Sequence, residues 1–401
     1  MFYVGIDIAK NKHEASLIDV SGKALVDSIS FSNSKEGCEK LLALMERFQV
    51  DKSDVVIGME ATGHYWLSVH AFFFELEYDV KVINPIQSEA FRKMYIRQTK
   101  NDSKDSYIIA QIMRFGQFST TSLSEEGTVA LRQLSRYRLA LVDSCGDCKR
   151  RVIALLDQVF PEYGKFFSDT FGVTSKEVLL NYPTPEDMIT VSTDELAGLL
   201  NKASRGRFRE DKAKELQSLA DNTFGVHFAK DAFAFQIKQL IEQLVFLENQ
   251  ISELEDKIAL LLEQMGSFIT TISGIGDTLG AIIVSEIGDI HRFDAPGKLV
   301  AFAGLDVKVN QSGEFSSTRN KISKRGSPYL RRAIWLAAGR AVFCDPILSE
   351  YYQSLRARGK HHLTAVGAVA RKMCNIIFAI LKENRPYEPQ PPKKQNSENR
   401  C

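Results

Sequence analysis

The sequence contains no hydrophobic run long enough to cross a membrane. A bilayer-spanning helix needs roughly 20 consecutive apolar residues, and no run approaches that length. The first residues, MFYVGIDIAK, are typical of a strand and lack the basic and then apolar layout of a signal peptide. These absences predict a cytoplasmic protein that has no membrane partner.

Cysteine is scarce, with six scattered residues in the whole chain. Only Cys145 and Cys148 lie close together, within the helix-like stretch ALVDSCGDCKRR. A structural zinc site needs four Cys or His ligands, and the sequence offers neither a second CxxC pair nor a His pair at ligand spacing. Two free thiols are therefore favoured over a zinc site.

A strong excess of charge of either sign is also missing, since the net charge is +1. That value argues neither for nor against a nucleic-acid partner. The cations are nevertheless concentrated, because the segment 315–344 contains no acid and seven basic residues: Arg319, Lys321, Lys324, Arg325, Arg331, Arg332 and Arg340. A local electropositive segment of this kind can attract phosphate groups.

The chain does have the length and composition of a multidomain globular protein. Its 401 residues, 44% hydrophobic and 25% charged, suit two or three domains with buried cores. The first hundred residues alternate between strand-like segments and helix-like ones; the predicted strands are 2–9, 15–19, 24–31, 55–59 and 80–83. A meander followed by strand, helix and strand predicts an α/β domain with a mixed sheet, in ribonuclease-H-like order.

After residue 127 the sequence becomes largely helical. The stretch 150–229 predicts a helical insertion with loops around Pro183 and Pro185. Apolar residues then recur with 3,4 spacing along a seam: Ile237, Leu240, Leu244, Leu247, Ile251, Leu254, Ile258 and Leu261. The seam predicts either a coiled coil between subunits or a helix packed within its own chain.

Four acidic residues form a candidate metal site. Asp7 interrupts the apolar run VGIDIA and Glu60 closes VVIGME, and a carboxylate on a buried strand is costly unless it is paired or binds metal. Asp102 and Asp105 can share one face of a predicted helix, although Asp is also a common capping residue at a helix start. If the strands are neighbours and the helix crosses their edge, the four carboxylates suit Mg²⁺ or Mn²⁺ and phosphodiester chemistry.

The C-terminal part contains a glycine turn and a candidate nucleophile. Gly274 and Gly276, in ISGIGDTLG, predict a tight turn that either presents backbone N–H groups to a phosphate, as in a helix-hairpin-helix unit, or joins two packed helices. Gln311, Ser312 and Gly313 predict a polar turn beside the basic segment. Nearby cations could assist the Ser312 hydroxyl in attacking phosphate, although by composition alone a turn serine is more often structural.

Several motifs occur together and in a fixed order. They are GIDIAK, MEATGHY, VINP, TKNDSKDS, SGIG, FAGL and QSGEF followed by SKRGSPYLRRA. In this order they resemble the insertion sequence one-ten family of transposases, the DEDD recombinases guided by a bridge RNA. The resemblance covers residues 1–115 and 266–382, and an ordered set of motifs is more specific than a single one. TKNDSKDS departs from the family's usual second Thr and Ala but retains both Asp residues.

The resemblance implies a domain order and a set of site residues. It implies a RuvC-like DEDD domain at 1–120 and a mainly α transposase domain at 266–384. The residues themselves predict the helical linker with the insertion and coiled coil at 121–265, and a tail at 385–401 that is disordered because it is rich in proline and charge. Asp7, Glu60, Asp102 and Asp105 would be the catalytic metal ligands, with Ser312 as the nucleophile. Nucleic-acid contacts are expected at Gly274, Gly276, Arg319, Lys321, Lys324, Arg325, Arg331 and Arg332.

The resemblance also implies the partners. The family brings its two sites together between subunits, so we expect a homo-oligomer, a dimer or tetramer, that acts on double-stranded donor and target DNA. A noncoding guide RNA would select both sequences, and the serine would become transiently linked to DNA. The expected location is the cytoplasm of a bacterium or archaeon, in association with the nucleoid.

Two other functions stay open from the residues alone. One is a metal-dependent nuclease for branched, Holliday-junction-type DNA, in which Ser312 is structural; this reading predicts cleavage by the Ser312→Ala variant without any covalent protein–DNA species. The other is a nucleic-acid-binding protein without catalysis, whose carboxylates only cap helices. Loss of DNA processing on chelation of Mg²⁺ would argue against the latter.

Overall fold

The computed structural model describes most of the chain, namely residues 1–61, 63–83, 88–89, 91, 102–116, 126–307, 311–312, 315–316 and 322–389. The side chains at 102–103, 311–312 and 315–316 fall outside this description. The chain divides into two compact units, Met1–Leu123 and Ser124–Cys401. The four-part division made from the sequence stays a prediction.

The described part of the first unit is built on one mixed sheet with the strand order β3-β2-β1-β4-β5. Its strands are β1 (Phe2–Asp7), β2 (Lys12–Asp19), β3 (Ala24–Ser32), β4 (Val55–Glu60) and β5 (Asp79–Ile83). The first three strands are antiparallel neighbours, whereas β1, β4 and β5 run parallel. The predicted α/β domain with a mixed sheet is confirmed, and its strand order is consistent with a ribonuclease-H-like fold.

Helices cover both faces of this sheet. They are α1 (Lys35–Arg47), α2 (Trp66–Glu75) and α3 (Asp102–Phe115). Successive side chains of a strand point to opposite faces, and Val4 and Ile6 of β1 therefore share one core with Leu41 and Phe73 of α1 and α2. The alternate positions of the strands face α3, whose apolar residues Ile108, Ile109 and Ile112 form a second core there.

Two strand glycines allow α3 to approach the sheet closely. A Cβ atom at Gly5 would overlap the backbone oxygen of Ser106 and the backbone nitrogen of Ala110. A Cβ atom at Gly58, the β4 residue that pairs with Gly5, would overlap the side chain of Met113. Glycine is therefore required at both positions because the helix backbone and side chains already fill the space.

The described part of the second unit is mainly helical. Its helices are α4 (Glu126–Val159), α5 (Tyr163–Phe166), α6 (Val173–Asn181), α7 (Pro185–Thr190), α8 (Thr193–Ala203), α9 (Glu210–Asp221), α10 (Lys230–Gln264), α11 (Asp277–Ile287), α12 (Pro296–Phe302), α13 (Pro328–Cys344), α14 (Pro346–Ala357) and α15 (His362–Glu383). A short hairpin of β6 (Gln311–Ser312) and β7 (Phe315–Ser316) lies between α12 and α13 in the chain.

The predicted apolar seam lies on α10 and packs within the chain. Leu244 and Ile258 of the seam are fully buried, and α10 lies against the equally long α4. Arg138 of α4 pairs with Glu255, and Lys149, further along α4, lies 3.5 Å from Glu248. The two helices are therefore antiparallel, and the structure describes the second of the two arrangements that the seam predicted.

The predicted insertion is a set of short helices with a core of its own. Tyr163, Leu196 and Leu216 are fully buried in it. Its loops differ from the prediction in one respect, because Pro185 begins α7 instead of lying in a loop. Thr184 caps that helix by accepting from the backbone N–H of Asp187, and proline is favoured at a first helical position because it has no N–H to leave unpaired.

The C-terminal helices and the α4–α10 pair share the largest core. Cys145 and Cys148 are free thiols buried in that core. Within the described residues, one helix, α15, is long and apolar enough on average to span a membrane, although Arg371 and Lys372 interrupt its apolar residues. Half of its most apolar window is buried in the fold. Its buried residues, such as Met373 and Ile377, pack against the other helices, as in the core helix of a globular domain.

Candidate active site

Asp7 and Glu60 occupy equivalent positions on neighbouring parallel strands. The β1–β4 register pairs Gly5 with Gly58 and Ile6 with Met59. Asp7 is the next and last residue of β1, and Glu60 is the next and last residue of β4. By strand alternation both carboxylates lie on the face that α3 covers. The candidate metal site required the strands that carry Asp7 and Glu60 to be neighbours, and the register meets that condition.

The helix α3 runs antiparallel to β1 and brings its first turn to the same edge. Ser106 lies over Gly5, whereas Tyr107, one residue later, donates to the carbonyl oxygen of Gly22 at 3.1 Å, in the β2–β3 turn beside the start of β1. The first turn of α3 must therefore lie where β1 and β4 end. Asp105 in that turn is 7% exposed, and it shares its helix face with Ile109 of the second core.

Hydrogen bonds hold this arrangement in register. The hydroxyl groups of Ser16 and Ser106 lie 2.7 Å apart and join β2 to α3. The hydroxyl group of the buried Ser88 donates to Glu60 Oε2 at 2.7 Å. The first bond fixes the helix residue next to Asp105, and the second fixes the carboxylate of Glu60 directly. No sequence motif indicates either hydrogen bond.

A fifth carboxylate, that of Glu14, borders the predicted site. Glu14 on β2 is the antiparallel partner of Asp7, and residues paired in this way have side chains on the same face of the sheet. Its carboxylate accepts a hydrogen bond from the hydroxyl group of Ser28. Glu14 was not predicted as a site residue, because its position beside Asp7 depends on the β1–β2 register, which the motif around Asp7 does not specify.

The donor set suits a hard divalent cation in its chemistry. Asp7, Glu60 and Asp105 supply carboxylate oxygens, the ligands that Mg²⁺ and Mn²⁺ prefer. Among the side chains that the structure describes, which exclude that of Asp102, no group of three His, Cys, Asp or Glu residues is arranged to hold a metal ion. The structure thus places Asp7, Glu60 and Asp105 at one edge of the sheet without arranging these three side chains around a single ion. The fourth predicted ligand, Asp102, is placed only by its backbone at the start of α3.

Ser312 lies on a strand of the β6–β7 hairpin, and this corrects the predicted polar turn. Gln311 pairs with Ser316 and Ser312 pairs with Phe315, so Gln311 and Ser312 are strand residues. Gly313 of the predicted turn lies outside the described residues, as do Arg319 and Lys321 of the basic segment. An isolated antiparallel bridge between residues 307 and 322 closes the base of the segment that carries the hairpin.

The described cations of the basic segment fall into two groups. Lys324 and Arg325 are exposed and can reach an external phosphate. The two terminal N–H groups of Arg332 instead donate hydrogen bonds to the carboxylate of Asp143, at 2.8 and 2.7 Å. That hydrogen bond raises the pKa of Arg332 and lowers the pKa of Asp143. Arg331 is half-buried and donates to the carbonyl oxygen of Ala303 at 3.3 Å.

The two glycines of the predicted turn have different surroundings. Gly274 has a positive φ of 89°, and a Cβ atom there would lie 2.7 Å from the carbonyl oxygen of Ala337 in α13. Gly276 is the N-cap residue of α11, and a Cβ atom there would meet nothing within 4 Å. Packing within the chain thus accounts for Gly274, whereas Gly276 leaves the start of α11 open to a ligand. A 3₁₀ turn at Phe268–Thr271, not a full helix, precedes this turn.

Comparison with known proteins identifies the class. A transposase model of the DEDD type found in IS110 elements matches residues 4–161. A second model, described as the transposase of the IS116/IS110/IS902 family, matches residues 266–353. The protein is thus a transposase, a protein of DNA recombination. It belongs to the IS110 family, because the two matches lie in the family's order and together cover more than half of the chain, and the resemblance found in the sequence is confirmed.

Curated relatives align along nearly the whole chain. The IS110 insertion element protein of Streptomyces coelicolor, described as an uncharacterized 43.6 kDa protein, is 24% identical over 97% of this chain and 96% of its own length. The pilin gene-inverting protein of Moraxella bovis is also 24% identical, over 96% of this chain and 97% of its own length. The IS900 insertion element protein of Mycobacterium paratuberculosis is 25% identical over 74% of each chain.

Proposed function

We propose that this transposase excises and inserts a mobile element by metal-dependent strand cleavage and exchange through a serine–DNA intermediate. One observation carries the proposal: Asp7 and Glu60 end adjacent parallel strands on one face, at the edge where the buried Asp105 lies in the first turn of α3. Carboxylates gathered at the carboxyl edge of parallel strands, under the start of a helix, suit the binding of divalent cations. Asp102, at the first position of the same helix, would complete the set.

The chemistry assigned to these residues is a displacement at phosphorus. When bound, two Mg²⁺ ions would stabilise charge on the attacking and leaving oxygens of a phosphodiester. The Ser312 hydroxyl would form a bond to phosphorus as one deoxyribose oxygen leaves, so that the serine proton is given up and the leaving oxygen gains one. A second deoxyribose hydroxyl would then displace the serine by the same exchange. Each step conserves the number of phosphodiester linkages, as strand exchange requires.

The proposed partners follow from the family and from the exposed cations. Double-stranded donor and target DNA are the substrates, a noncoding RNA is the guide, and a homo-oligomer in the cytoplasm is the acting form. Lys324, Arg325 and the open start of α11 at Gly276 are suited to phosphate contacts. Such contacts predict that nucleic-acid binding weakens steeply with rising salt, whichever polymer is bound.

Excision and insertion of a plasmid-borne element test the proposal. Asp102→Asn and Ser312→Ala should each abolish both reactions, since one removes a ligand charge and the other removes the nucleophile. Glu39→Gln, at an exposed position of α1, and Ser252→Ala, at an exposed position of α10, make the same chemical changes away from the site and should retain activity. Wild-type activity in either of the first two variants would refute the proposal.

The alternative of a branched-DNA nuclease makes a different prediction for the same variants. It requires the carboxylates of the first unit but not the serine of the second. In that case Ser312→Ala protein would cut branched DNA at the wild-type rate, and no covalent protein–DNA species would form in either protein. A covalent species that is lost in Ser312→Ala would exclude the nuclease.

A further inference from the structure

A cluster of arginines in the second unit surrounds one buried carboxylate. Glu286, in the last turn of α11, is 6% exposed and accepts from Arg136 Nε at 2.6 Å and Nη2 at 3.0 Å. The Ser327 hydroxyl donates to the same carboxylate at 2.8 Å. The Glu286 carboxylate thus accepts three hydrogen bonds, and the positive charge of Arg136 neutralises its negative charge. The guanidinium group of Arg136 also lies 4.5 Å from the ring centre of Tyr329.

Arg132 and Arg292 add further positive charge beside this pair. Burial lowers the pKa of Arg292, and the neighbouring Arg132 lowers it again, whereas Asp289 raises it. Burial also lowers the pKa of Arg132, with an opposing effect from Glu286 and a further lowering by Arg136. Three guanidinium groups thus influence one another near only two carboxylates, Glu286 and Asp289, and the one unmatched positive charge can attract an anion.

Two aromatic rings hold the guanidinium group of Arg292, and no acidic residue in the described part of the chain pairs with it. It lies 4.6 Å from the ring centre of Phe293 and 4.5 Å from that of Phe302. Within the described part of the chain it makes neither a hydrogen bond nor an ion pair. The two rings partly bury the guanidinium group, which is why its pKa is lowered, but the residue as a whole still presents an open side to solvent. Stacking on two rings fixes the plane of an arginine while leaving its N–H groups available, which is the state that favours phosphate binding.

The cluster adjoins the segment that carries Ser312. The backbone N–H of Ser327 donates to the carbonyl oxygen of Phe302 at 2.9 Å, and a Cβ atom at Gly326 would overlap that same carbonyl group. Residues 323–327, which follow the hairpin segment, are therefore anchored on Phe302 by their backbone and on Glu286 by Ser327. A phosphate held by Arg292 would lie at the foot of that segment.

We propose that Arg132 and Arg292 form a binding site for the phosphodiester backbone of nucleic acid at the foot of the Ser312 hairpin segment. This inference rests on the proposed function, because it assigns where the second unit holds its nucleic acid. It adds a site made by α4 and the 3₁₀ turn Ile290–Arg292, outside the basic segment at 315–344. Arg292 is the residue to test, since Arg132 also donates to the carbonyl oxygen of Ser285 at 2.7 Å and supports the fold.

The test measures binding by full-length protein with EDTA present, so that no strand is cut. The probes are a fluorescent DNA duplex of arbitrary sequence and an RNA duplex of the same sequence. Arg292→Met removes the charge but keeps an apolar side chain against the two rings, and we expect it to weaken binding about tenfold. The slope of log K against log salt, from about 50 to about 200 mM, should fall by about 1. Arg207→Met, at an exposed position of the insertion, is the matched control.

The outcomes separate this site from the proposed function. Equal binding by Arg292→Met and Arg207→Met to both probes would overturn the site, even if Ser312→Ala abolishes recombination. An effect on the DNA probe alone, on the RNA probe alone or on both supports the site and identifies the polymer. Arg292→Lys should retain the wild-type salt slope with weaker affinity, because it keeps the charge and loses the planar fork; a reduced slope would contradict an electrostatic role.

Discussion

At the scale of single residues, small side chains decide where the acidic ones lie. Gly5 and Gly58 admit α3 to the sheet, and Ser16 bonds it through Ser106. Asp7 could be predicted as a site residue from its apolar neighbours, because a carboxylate within a buried strand is unfavourable unless it is paired or binds a metal. Glu14 could not be, because its position beside Asp7 arises from a cross-strand register that depends on the length of the β1–β2 turn.

Replacing Gly5 by Ala should destabilise the first unit. The new methyl group would overlap the backbone of α3 at Ser106, and overpacking of this kind costs about 1–3 kcal/mol. The free energy of unfolding can be followed with the fluorescence of Trp66 in a Trp335→Phe background, since the chain has two tryptophans, one in each unit.

A glycine in open space is the control for this substitution. A Cβ atom at Gly198, within α8, would meet nothing within 4 Å. Gly198→Ala should stabilise the second unit, followed by Trp335 in a Trp66→Phe background, by roughly 0.5–1 kcal/mol, because alanine loses less backbone freedom in a helix. Stability unchanged by Gly5→Ala would show that α3 does not pack closely on β1.

Two buried histidines should make the first unit sensitive to mild acid. Burial lowers the pKa of His13, partly offset by Asn33, and burial lowers that of His70. His13 Nε2 and His70 Nδ1 have no hydrogen-bond partner among the described residues. The folded protein therefore binds protons at these two rings less readily than the unfolded chain, in which histidine has a pKa of about 6.5.

The free energy of unfolding of the first unit should thus fall as the pH drops below about 6.5, by at most about 1.4 kcal/mol per pH unit for each histidine. Urea unfolding at several pH values, read by Trp66 in the Trp335→Phe background, measures this loss. Trp335 in a Trp66→Phe background is the reference, because His227, His291, His361 and His362 of the second unit are all exposed. Equal losses in the two signals, or a gain in the Trp66 signal, would contradict the assignment.

At the scale of elements, the α4–α10 pair organises the second unit. The 3,4 spacing predicted a long helix with an apolar seam, but the sequence could not distinguish a partner in another subunit from one in the same chain. That choice depends on α4, which lies about a hundred residues earlier and whose Arg138 and Lys149 match Glu255 and Glu248. The pairing is long-range, so no local pattern reveals it.

Leu244→Ala in the seam should destabilise the second unit by about 2–5 kcal/mol, the usual cost of a cavity in a packed core. Leu244 is 0% exposed, whereas Leu260 on the same helix is 56% exposed. Leu260→Ala is the matched control and should change the free energy of unfolding by less than about 0.5 kcal/mol. Urea unfolding followed by Trp335 fluorescence compares the two.

Sedimentation of the same variants distinguishes the two arrangements of the seam. If α10 packs only within its chain, Leu244→Ala protein that is still folded keeps the sedimentation behaviour of the wild type. A loss of self-association with no change in stability would show instead that the seam joins subunits.

At the scale of the whole molecule, the chain combines two structurally different units. The first carries carboxylates at a sheet edge, and the second is mainly helical and carries the Ser312 hairpin and the arginines around Glu286. The mixed sheet and the family could be predicted from the sequence, because ordered motifs and period-two strands are local signals. The fold of residues 150–229 and the network around Glu286 could not, since Arg136, Glu286 and Ser327 are brought together from three distant elements.

The proposed mechanism requires the carboxylates and Ser312 to act on the same phosphodiester. The most direct measurement is detection of a covalent protein–DNA species on denaturing gels, with labelled donor DNA in the presence of Mg²⁺. We expect that wild-type protein forms this species, that EDTA prevents it and that Asp105→Asn and Ser312→Ala each eliminate it. A covalent species that persists in Ser312→Ala, or DNA exchange in wild-type protein without one, would contradict this mechanism.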